Sequence, residues 1–244
     1  MKISSTLRIG EHHVNYCEDY LLISEIGNNR SVLAVMDGCS MGTDSHLIAT
    51  LTGKLLRKIS LEYSYHTFIT KTTDDLGFAL ESIVRRLFHE LKNIKQIVQL
   101  NKEELLCTLL IAVIDAREHS AEILCIGDGL VCINGSLFEF EQGNKPDYMG
   151  YHLNEDFDDW YKGQQQRLSA VHITDLSIAT DGIFTFRKFD QFEYAQQGDV
   201  IEYLLMDKQA DTSANMLERK LLEIRDSRGL KPTDDLAIIR WVAD

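Results

Sequence analysis

The sequence predicts an α+β fold in which antiparallel sheets are covered by helices. Its apolar, β-rich runs come in hairpins, and its stretches of helical periodicity come in pairs. A parallel doubly wound sheet needs strands and helices in regular alternation, and that order is missing here. With 244 residues, 44% of them hydrophobic, the chain can build a sizeable core. Its length suits one large domain or two small ones.

The first predicted strands form a hairpin. Residues 20–26 and 31–36 are rich in β-branched and other apolar side chains. Gly27-Asn28-Asn29 lies between them, and glycine and asparagine favour the backbone conformations that a tight turn requires. We therefore expect two paired antiparallel strands near the start of the chain.

Two helices are predicted to follow this hairpin. Apolar residues recur at helical spacing over residues 45–59, and a longer stripe of the same kind covers residues 76–98. Asp74 and Asp75 precede the second stripe, where they supply capping oxygens and negative charge to a helix N-terminus.

Strands return in the second half. Residues 105–114 are apolar on both faces, as in a strand buried between two layers, and residues 121–126 form a second strand. Asn134-Gly135, a strong hairpin signal, separates the strands predicted at 130–133 and 136–140.

The segment 143–169 has no clear period, so we interpret it as a loop or flap. Beyond it, the pattern predicts a strand at 176–180, helices at 200–206 and 214–224, and a closing strand at 236–242.

The net charge argues against two classes of partner, and the cysteines indicate the cellular compartment. The formal net charge of -13 repels nucleic acid and anionic lipid, so we expect neither as a partner. No long apolar stretch resembles a signal peptide or a membrane span. The cysteines are odd in number and lack a Cys-x-x-Cys pair, which indicates reduced thiols in a cytoplasmic protein. They are Cys17, Cys39, Cys107, Cys125 and Cys132.

Acidic residues recur where apolar strands begin or end. They are Glu18 and Asp19, Asp37, Asp128, Asp181, and Asp234 and Asp235. Carboxylates that converge from neighbouring strands repel one another unless protons or cations intervene, and hard oxygen ligands suit Mg²⁺ or Mn²⁺. Aspartate before glycine is also common turn chemistry, which would explain any one of these sites by itself. From the residues alone, a metal site and a set of turns both remain open.

The order of these motifs resembles the metal-dependent protein phosphatase 2C family over nearly the whole chain. The similar segments are Asn15–Asp19, Val35–Gly38, Cys107–Leu109, Ile126–Gly129, Ile178–Phe184 and Thr233–Ile238. Each motif is weak by itself, whereas their order and spacing are specific.

The resemblance implies an α-β-β-α sandwich of two antiparallel sheets flanked by helices, as one domain over residues 1–244. It also implies two Mn²⁺ or Mg²⁺ ions. Asp37 would bridge both ions, Asp181 and Asp234 would complete the shell of one, and Asp128 matches a position for a third ion. The carbonyl of Gly38, with Glu18 or Asp19 directly or through water, would serve the other ion. The full set of implied metal ligands is Glu18, Asp19, Asp37, Gly38, Asp128, Asp181 and Asp234.

The chain departs from the family pattern at two places. Many members carry a phosphate-binding arginine four residues before the motif glutamate, and Val14 stands there in this chain. His13 is a candidate substitute, with His12 and the more distant Arg8 as alternatives. The glycines that follow Asp-Gly in the family are replaced by Cys39-Ser40-Met41.

We therefore expect a phosphoprotein serine/threonine phosphatase in which cation-activated water attacks phosphorus without a covalent enzyme intermediate. Two alternatives remain: an inactive scaffold on the same fold, and a phosphatase of a small phosphorylated metabolite. A cysteine phosphatase is excluded, because no cysteine has arginine six residues later. A dehalogenase-type phosphatase would need an acid two residues after Asp37, where Cys39 stands. The oligomeric state does not follow from the sequence.

Overall fold

The computed structural model describes residues 2–143, 146–189, 198–207 and 213–243. Its strands are β1 Lys2–Arg8, β2 Asp19–Gly27, β3 Arg30–Asp37, β4 Leu109–Asp115, β5 Ser120–Ile126, β6 Gly129–Ile133, β7 Ser136–Phe140, β8 Arg167–Val171, β9 Asp175–Ala179, β10 Phe186–Lys188, β11 Leu230–Pro232 and β12 Leu236–Val242. Its α-helices are α1 Ser45–Thr70, α2 Leu76–Val98, α3 Met149–His152, α4 Phe157–Gly163, α5 Val200–Leu205 and α6 Met216–Arg228.

Two five-stranded antiparallel sheets form the centre of the fold. One has the strand order β1-β12-β9-β6-β7, and the other has the order β2-β3-β4-β5-β8. The strands β10 and β11 form a separate small ribbon. Apolar side chains from both large sheets meet in one buried cluster between them. Helices cover the outer faces of the two sheets, which confirms the predicted α-β-β-α sandwich.

Alternation along β3 shows how each strand serves two layers. Leu33 and Val35 point into the core between the sheets. Val32, Ala34 and Met36 point the other way, into the cluster shared with α1 and α2. Successive side chains of a strand face opposite sides of its sheet, so a strand covered on both faces is apolar throughout.

The helix α2 begins at a side-chain cap, whereas α1 begins without one. The side chain of Asp75 accepts a hydrogen bond from the Phe78 N–H at 2.9 Å, and α2 covers the predicted range. The first helix is longer than predicted, because it continues past residue 59 to Thr70. Its last turns expose apolar side chains such as Phe68, which hides the helical period. No helix of the described ranges has the length and apolarity to cross a bilayer.

The strand β1 was missed by the sequence prediction. It pairs with β12 along its whole length, from Lys2 opposite Val242 to Arg8 opposite Leu236. The buried side chains on its α6 side are polar: they are Ser4 and Thr6. The Ser4 hydroxyl donates to the Ala214 carbonyl at 3.0 Å and accepts from the Leu217 N–H at 3.1 Å. Hydrogen bonds to α6 therefore replace the apolar pattern that would have revealed the strand.

The segment 143–169 is not the irregular loop that the sequence suggested, whereas its role as a flap stays a prediction. It contains α3, α4 and the start of β8, while residues 144–145 lie outside the described ranges. The rings of Phe157 and Trp160 lie 5.5 and 5.2 Å from that of Phe88 on α2. Helices of 4 and 7 residues are too short to show a period. The strand predicted at 105–114 is also shorter, because a 3₁₀ turn at Lys102–Leu105 precedes β4.

Candidate active site

Asp19 and Asp37 lie opposite each other at one rim of the sandwich. Asp19 opens β2, Asp37 closes β3, and the two residues are directly paired in the antiparallel register. Their carboxyl groups contact each other, and Asp19 is only 3% exposed. The hairpin that the sequence predicted therefore brings two of the candidate ligands together.

The main chain around Asp37 is held on both sides. The Asp37 N–H donates to the Thr108 hydroxyl at 3.0 Å, and the Thr108 N–H donates back to the Asp37 carbonyl at 2.8 Å. The Gly38 N–H donates to the Glu18 carbonyl at 3.1 Å. A Cβ atom on Gly38 would lie 2.1 Å from the Ser45 carbonyl oxygen, so only glycine fits there. The backbone after Asp37 is thus fixed in place.

Thr180 links this rim to the other sheet. Its hydroxyl donates to Asp19 Oδ2 at 2.6 Å and accepts from the Ala237 N–H at 2.9 Å. Thr180 ends the motif before Asp181, which opens a 3₁₀ turn after β9. The hydroxyl orients the buried carboxyl without neutralising its charge.

The second sheet contributes Asp181 and Asp234. The Asp234 N–H donates to the Thr185 hydroxyl at 3.1 Å, and its side chain is 46% exposed. Gly182 follows Asp181, and a Cβ atom there would lie 1.8 Å from the Asp235 carbonyl oxygen. The two segments therefore approach each other closely because residue 182 has no side chain.

Glu18 and Asp128 lie at the edges of the same rim. The carboxylate of Glu18 accepts from the Ser40 hydroxyl at 2.8 Å and from the Ser45 hydroxyl at 2.6 Å. Asp128 follows β5, and its charge acts on Asp181. The sequence indicated both acids by their place at strand ends but gave no sign of the two serines.

Burial and mutual repulsion shift the titration of these acids. Burial, followed by the charges of Asp235 and Asp181, raises the pKa of Asp19 to about 8. Burial raises the pKa of Asp37 well above its ordinary value, and the charges of Asp19, Asp181 and Asp234 add to that increase. Burial and the neighbouring Asp128 raise the pKa of Asp181 to about 6. These raised pKa values show that placing several negative charges together at this rim is unfavourable.

His13 is the only basic side chain within 4.0 Å of these acids in the described part of the chain. Its Nδ1 lies 2.9 Å from Asp235 Oδ2, and its Nε2 lies 3.8 Å from Asp234 Oδ1 and 4.0 Å from Glu18 Oε2. Burial lowers the pKa of His13, but these carboxylates outweigh it and leave the pKa raised. The structure thus brings His13 to the acids.

The two alternatives to His13 lie elsewhere. Arg8 forms an ion pair with Glu218 on α6. His12 is exposed, and its N–H donates to the Thr233 carbonyl at 3.0 Å.

Asp235 has a role that the sequence did not reveal. It is 2% exposed and accepts hydrogen bonds from the Gly10 N–H, at 2.7 Å, and from the Glu18 N–H. It also contacts His13. Asp235 therefore fastens the loop between β1 and β2 to the rim, while its neighbour Asp234 remains open to solvent.

The donor set fits divalent cations in its chemistry. It consists of carboxylate and carbonyl oxygens, which Mg²⁺ and Mn²⁺ prefer, and His13 is the one basic side chain described beside it. Within the described ranges, however, no three His, Cys, Asp or Glu side chains are already arranged round a single point as a metal site. Binding would therefore require the side chains to turn towards the ion.

Comparisons with known proteins support the fold described above. The sequence model described as Protein phosphatase 2C matches residues 10–221. Among solved structures, a bacterial serine phosphatase is 12% identical, with a TM-score of 0.64 and coverage of 100% of this chain and 98% of that chain. The phosphatase Stp1 from Staphylococcus aureus is 12% identical, with a TM-score of 0.63 and coverage of 100% and 96%. RsbX in complex with magnesium is 17% identical, with a TM-score of 0.54 and coverage of 98% and 94%. A comparison with curated proteins gives no match.

The raised carboxyl pKa values make the metal-free protein sensitive to pH. In the folded state the pKa of Asp19 is about 8, above its value in the unfolded chain, so protonation favours folding. This stabilisation is complete at low pH and is lost as the pH rises from about 4 through about 8. In EDTA, we expect the free energy of unfolding relative to Asp19→Asn to fall by on the order of 2 kcal/mol between pH 5 and pH 8.

Urea unfolding at several pH values measures this difference. Asp226→Asn is the matched control, because that carboxyl is exposed and Arg225 lowers its pKa, so it stays charged throughout the range. A wild-type profile parallel to that of Asp19→Asn would contradict the account of the buried acids.

Proposed function

Since the chain belongs to the protein phosphatase 2C family, we propose that it hydrolyses phosphoserine and phosphothreonine in proteins with the help of two divalent cations, Mn²⁺ or Mg²⁺. The observation that carries the proposal is the convergence of acids from both sheets at one rim, around the buried Asp19. Asp37 is influenced there by the charges of Asp19, Asp181 and Asp234. Such a cluster is stabilised by cations and is costly without them.

In this proposal Asp37, Asp181 and Asp234 would hold one ion. Asp37 and the Gly38 carbonyl, with Glu18 or Asp19, would hold the other. Asp128 would hold a third, weaker ion. When bound, the ions would supply Lewis-acid activation of the attacking water and neutralise charge on the phosphoryl oxygens.

The chain's own residues prepare the rim. The Thr180 hydroxyl sets the orientation of Asp19. The Ser40 and Ser45 hydroxyls set that of Glu18, and Thr108 holds the backbone of Asp37. Neutral hydroxyl donors orient carboxylates without cancelling their charge, so the full charge is available to cations.

His13 is our candidate for the phosphate contact in place of the family's arginine. Its imidazole stands among the acids with a raised pKa, which favours the cationic form that attracts a phosphate. Val14, at the arginine position itself, is 87% exposed and offers no donor.

The surface near the rim favours a protein over a small metabolite as substrate. Val14, Tyr16 and Met41 expose large apolar side chains in the loops that contain His13 and Cys39. The Tyr16 ring stacks on His46 with centroids 4.2 Å apart. Exposed apolar groups beside a charged site suit the residues that flank a phosphorylated side chain in a protein substrate.

The five free thiols suit a reducing compartment, and we therefore place the protein in the cytoplasm.

The decisive assay is hydrolysis of a phosphothreonine peptide with Mn²⁺, with EDTA, and by Asp37→Asn. We expect turnover with Mn²⁺, and a loss of at least about 10³-fold in both EDTA and the variant, because transition-state charge then lacks its counter-ions. Asp37→Asn should also melt at a higher temperature than the wild type in EDTA, since one repelling charge is removed.

The same assay separates the alternatives. A folded protein that binds phosphopeptide but never turns it over would favour the inactive scaffold. Faster hydrolysis of a small phosphate monoester than of the peptide would favour the metabolite phosphatase.

The contact proposed for His13 predicts a specific change in kinetics. His13→Gln should raise KM for the phosphopeptide by about tenfold and change kcat less, because a ground-state phosphate contact is lost. His12→Gln is the matched control on the neighbouring, exposed residue and should leave KM unchanged. Equal effects of both substitutions would remove His13 from the proposal.

A further inference from the structure

A cavity of about 620 Å³ lies at the end of the sandwich opposite the acids. The strand β3 runs from Arg30 at the cavity to Asp37 at the acidic rim. The strand β2 also joins the two ends, from Asp19 to Gly27, and β12 runs from beside Asp235 to Trp241. The cavity therefore forms no part of the proposed catalytic site. Its volume falls within the range of small-molecule pockets.

Several side chains that line the cavity can donate hydrogen bonds. They are Asn28, Asn29, Arg30, Arg117 and Trp241. Glu25 is the one acid among the lining residues that the structure describes, and it is exposed to solvent. Among the described lining residues, two arginines therefore outnumber the one acid, in a protein with a net charge of -13.

Arg30 is held in a fixed position. Its Nε donates to Asp115 Oδ2 at 2.9 Å, and its Nη1 donates to the Asp74 carbonyl at 2.5 Å. The side chain is 12% exposed, and its Nη2 has no partner among the described residues. A guanidinium that is already fixed loses little entropy when it binds an oxyanion.

His119 and Trp241 form an inner wall with two further polar groups. His119 Nδ1 lies 3.0 Å from the Ile173 carbonyl, which can only accept, so Nδ1 carries the hydrogen and, in the neutral ring, Nε2 is a hydrogen-bond acceptor. The His119 ring stands edge-on to Trp241, with centroids 6.4 Å apart. Trp241 is 1% exposed, and its indole N–H has no acceptor in the described part of the chain. A buried N–H without an acceptor is unusual in native proteins.

We propose that this cavity binds a small organic oxyanion, a phosphate or a carboxylate of up to about mononucleotide size. Arg117 and Arg30 would hold the anionic group. The amides of Asn28 and Asn29 would bond to the polar remainder of the ligand. The inference does not depend on the proposed catalytic activity, because the acids of the other rim take no part in it.

The test is an NMR titration of the ¹⁵N-labelled full chain in EDTA, where the acidic rim repels anions. The probes are adenosine monophosphate, inorganic phosphate and succinate, with adenosine as the uncharged control. The two tryptophans give two indole signals, which Trp160→Phe assigns. We expect adenosine monophosphate or succinate to shift the Trp241 indole signal in a saturable way, with a Kd of about 1 mM or lower. The Trp160 signal should not move.

Arg117→Glu is the test variant, because this side chain is 79% exposed and forms an ion pair with the adjacent, exposed Glu118, so folding should not depend on it. It should weaken binding by at least about tenfold. Arg187→Glu makes the same charge change on exposed β10, outside the cavity, and should leave the Kd unchanged. No saturable Trp241 shift with any anion up to roughly 10 mM would overturn the proposal. So would an equal Kd in Arg117→Glu, or equal binding of adenosine and its monophosphate.

Discussion

The constraint on which this structure depends is the repulsion among carboxylates gathered at one rim of the sandwich, where Asp19 and Asp235 are buried. Asp19 and Asp37 meet across a β-hairpin, and the packing of the two sheets adds Asp181 and Asp234 from the other side. Hydroxyl groups orient the acids, and His13 alone among the described basic residues lies within reach of them. Desolvation and like charges then raise the carboxyl pKa values. Such a cluster lowers the free energy of unfolding, and a cation that binds to the folded protein raises it again.

Much of the fold and of the acidic rim could be predicted, because both depend on local patterns. Alternating side chains in β3 and the turn after it place Asp37 at a sheet boundary, and the same logic applies to Asp181. The resemblance of the motifs to the protein phosphatase 2C family then implied that these acids meet at one metal site. The strand β1 was not predictable from hydropathy, since hydrogen bonds to α6 replace apolar packing at Ser4 and Thr6.

The parts of the site that could not be predicted depend on distant pairs. Asp235 binds the Gly10 N–H, 225 positions away, and this contact exists only because β1 pairs with β12. The hydroxyl of Thr180 reaches Asp19 across 161 positions in the same way. The cavity at the other end likewise joins the β2–β3 turn to the end of β12. Opposite chemistries thus occupy the two ends of the same strands, which at about 3.3 Å per residue span roughly 23 Å.

The most direct test of the central claim is to locate Mn²⁺ by anomalous scattering in crystals grown with the ion. The account predicts two peaks at the acidic rim, roughly 3.5–4 Å apart, with Asp37 between them. It further predicts that Asp181 and Asp234 turn towards one of the peaks. Crystals that bind Mn²⁺ elsewhere, or leave this rim without a peak, would contradict it.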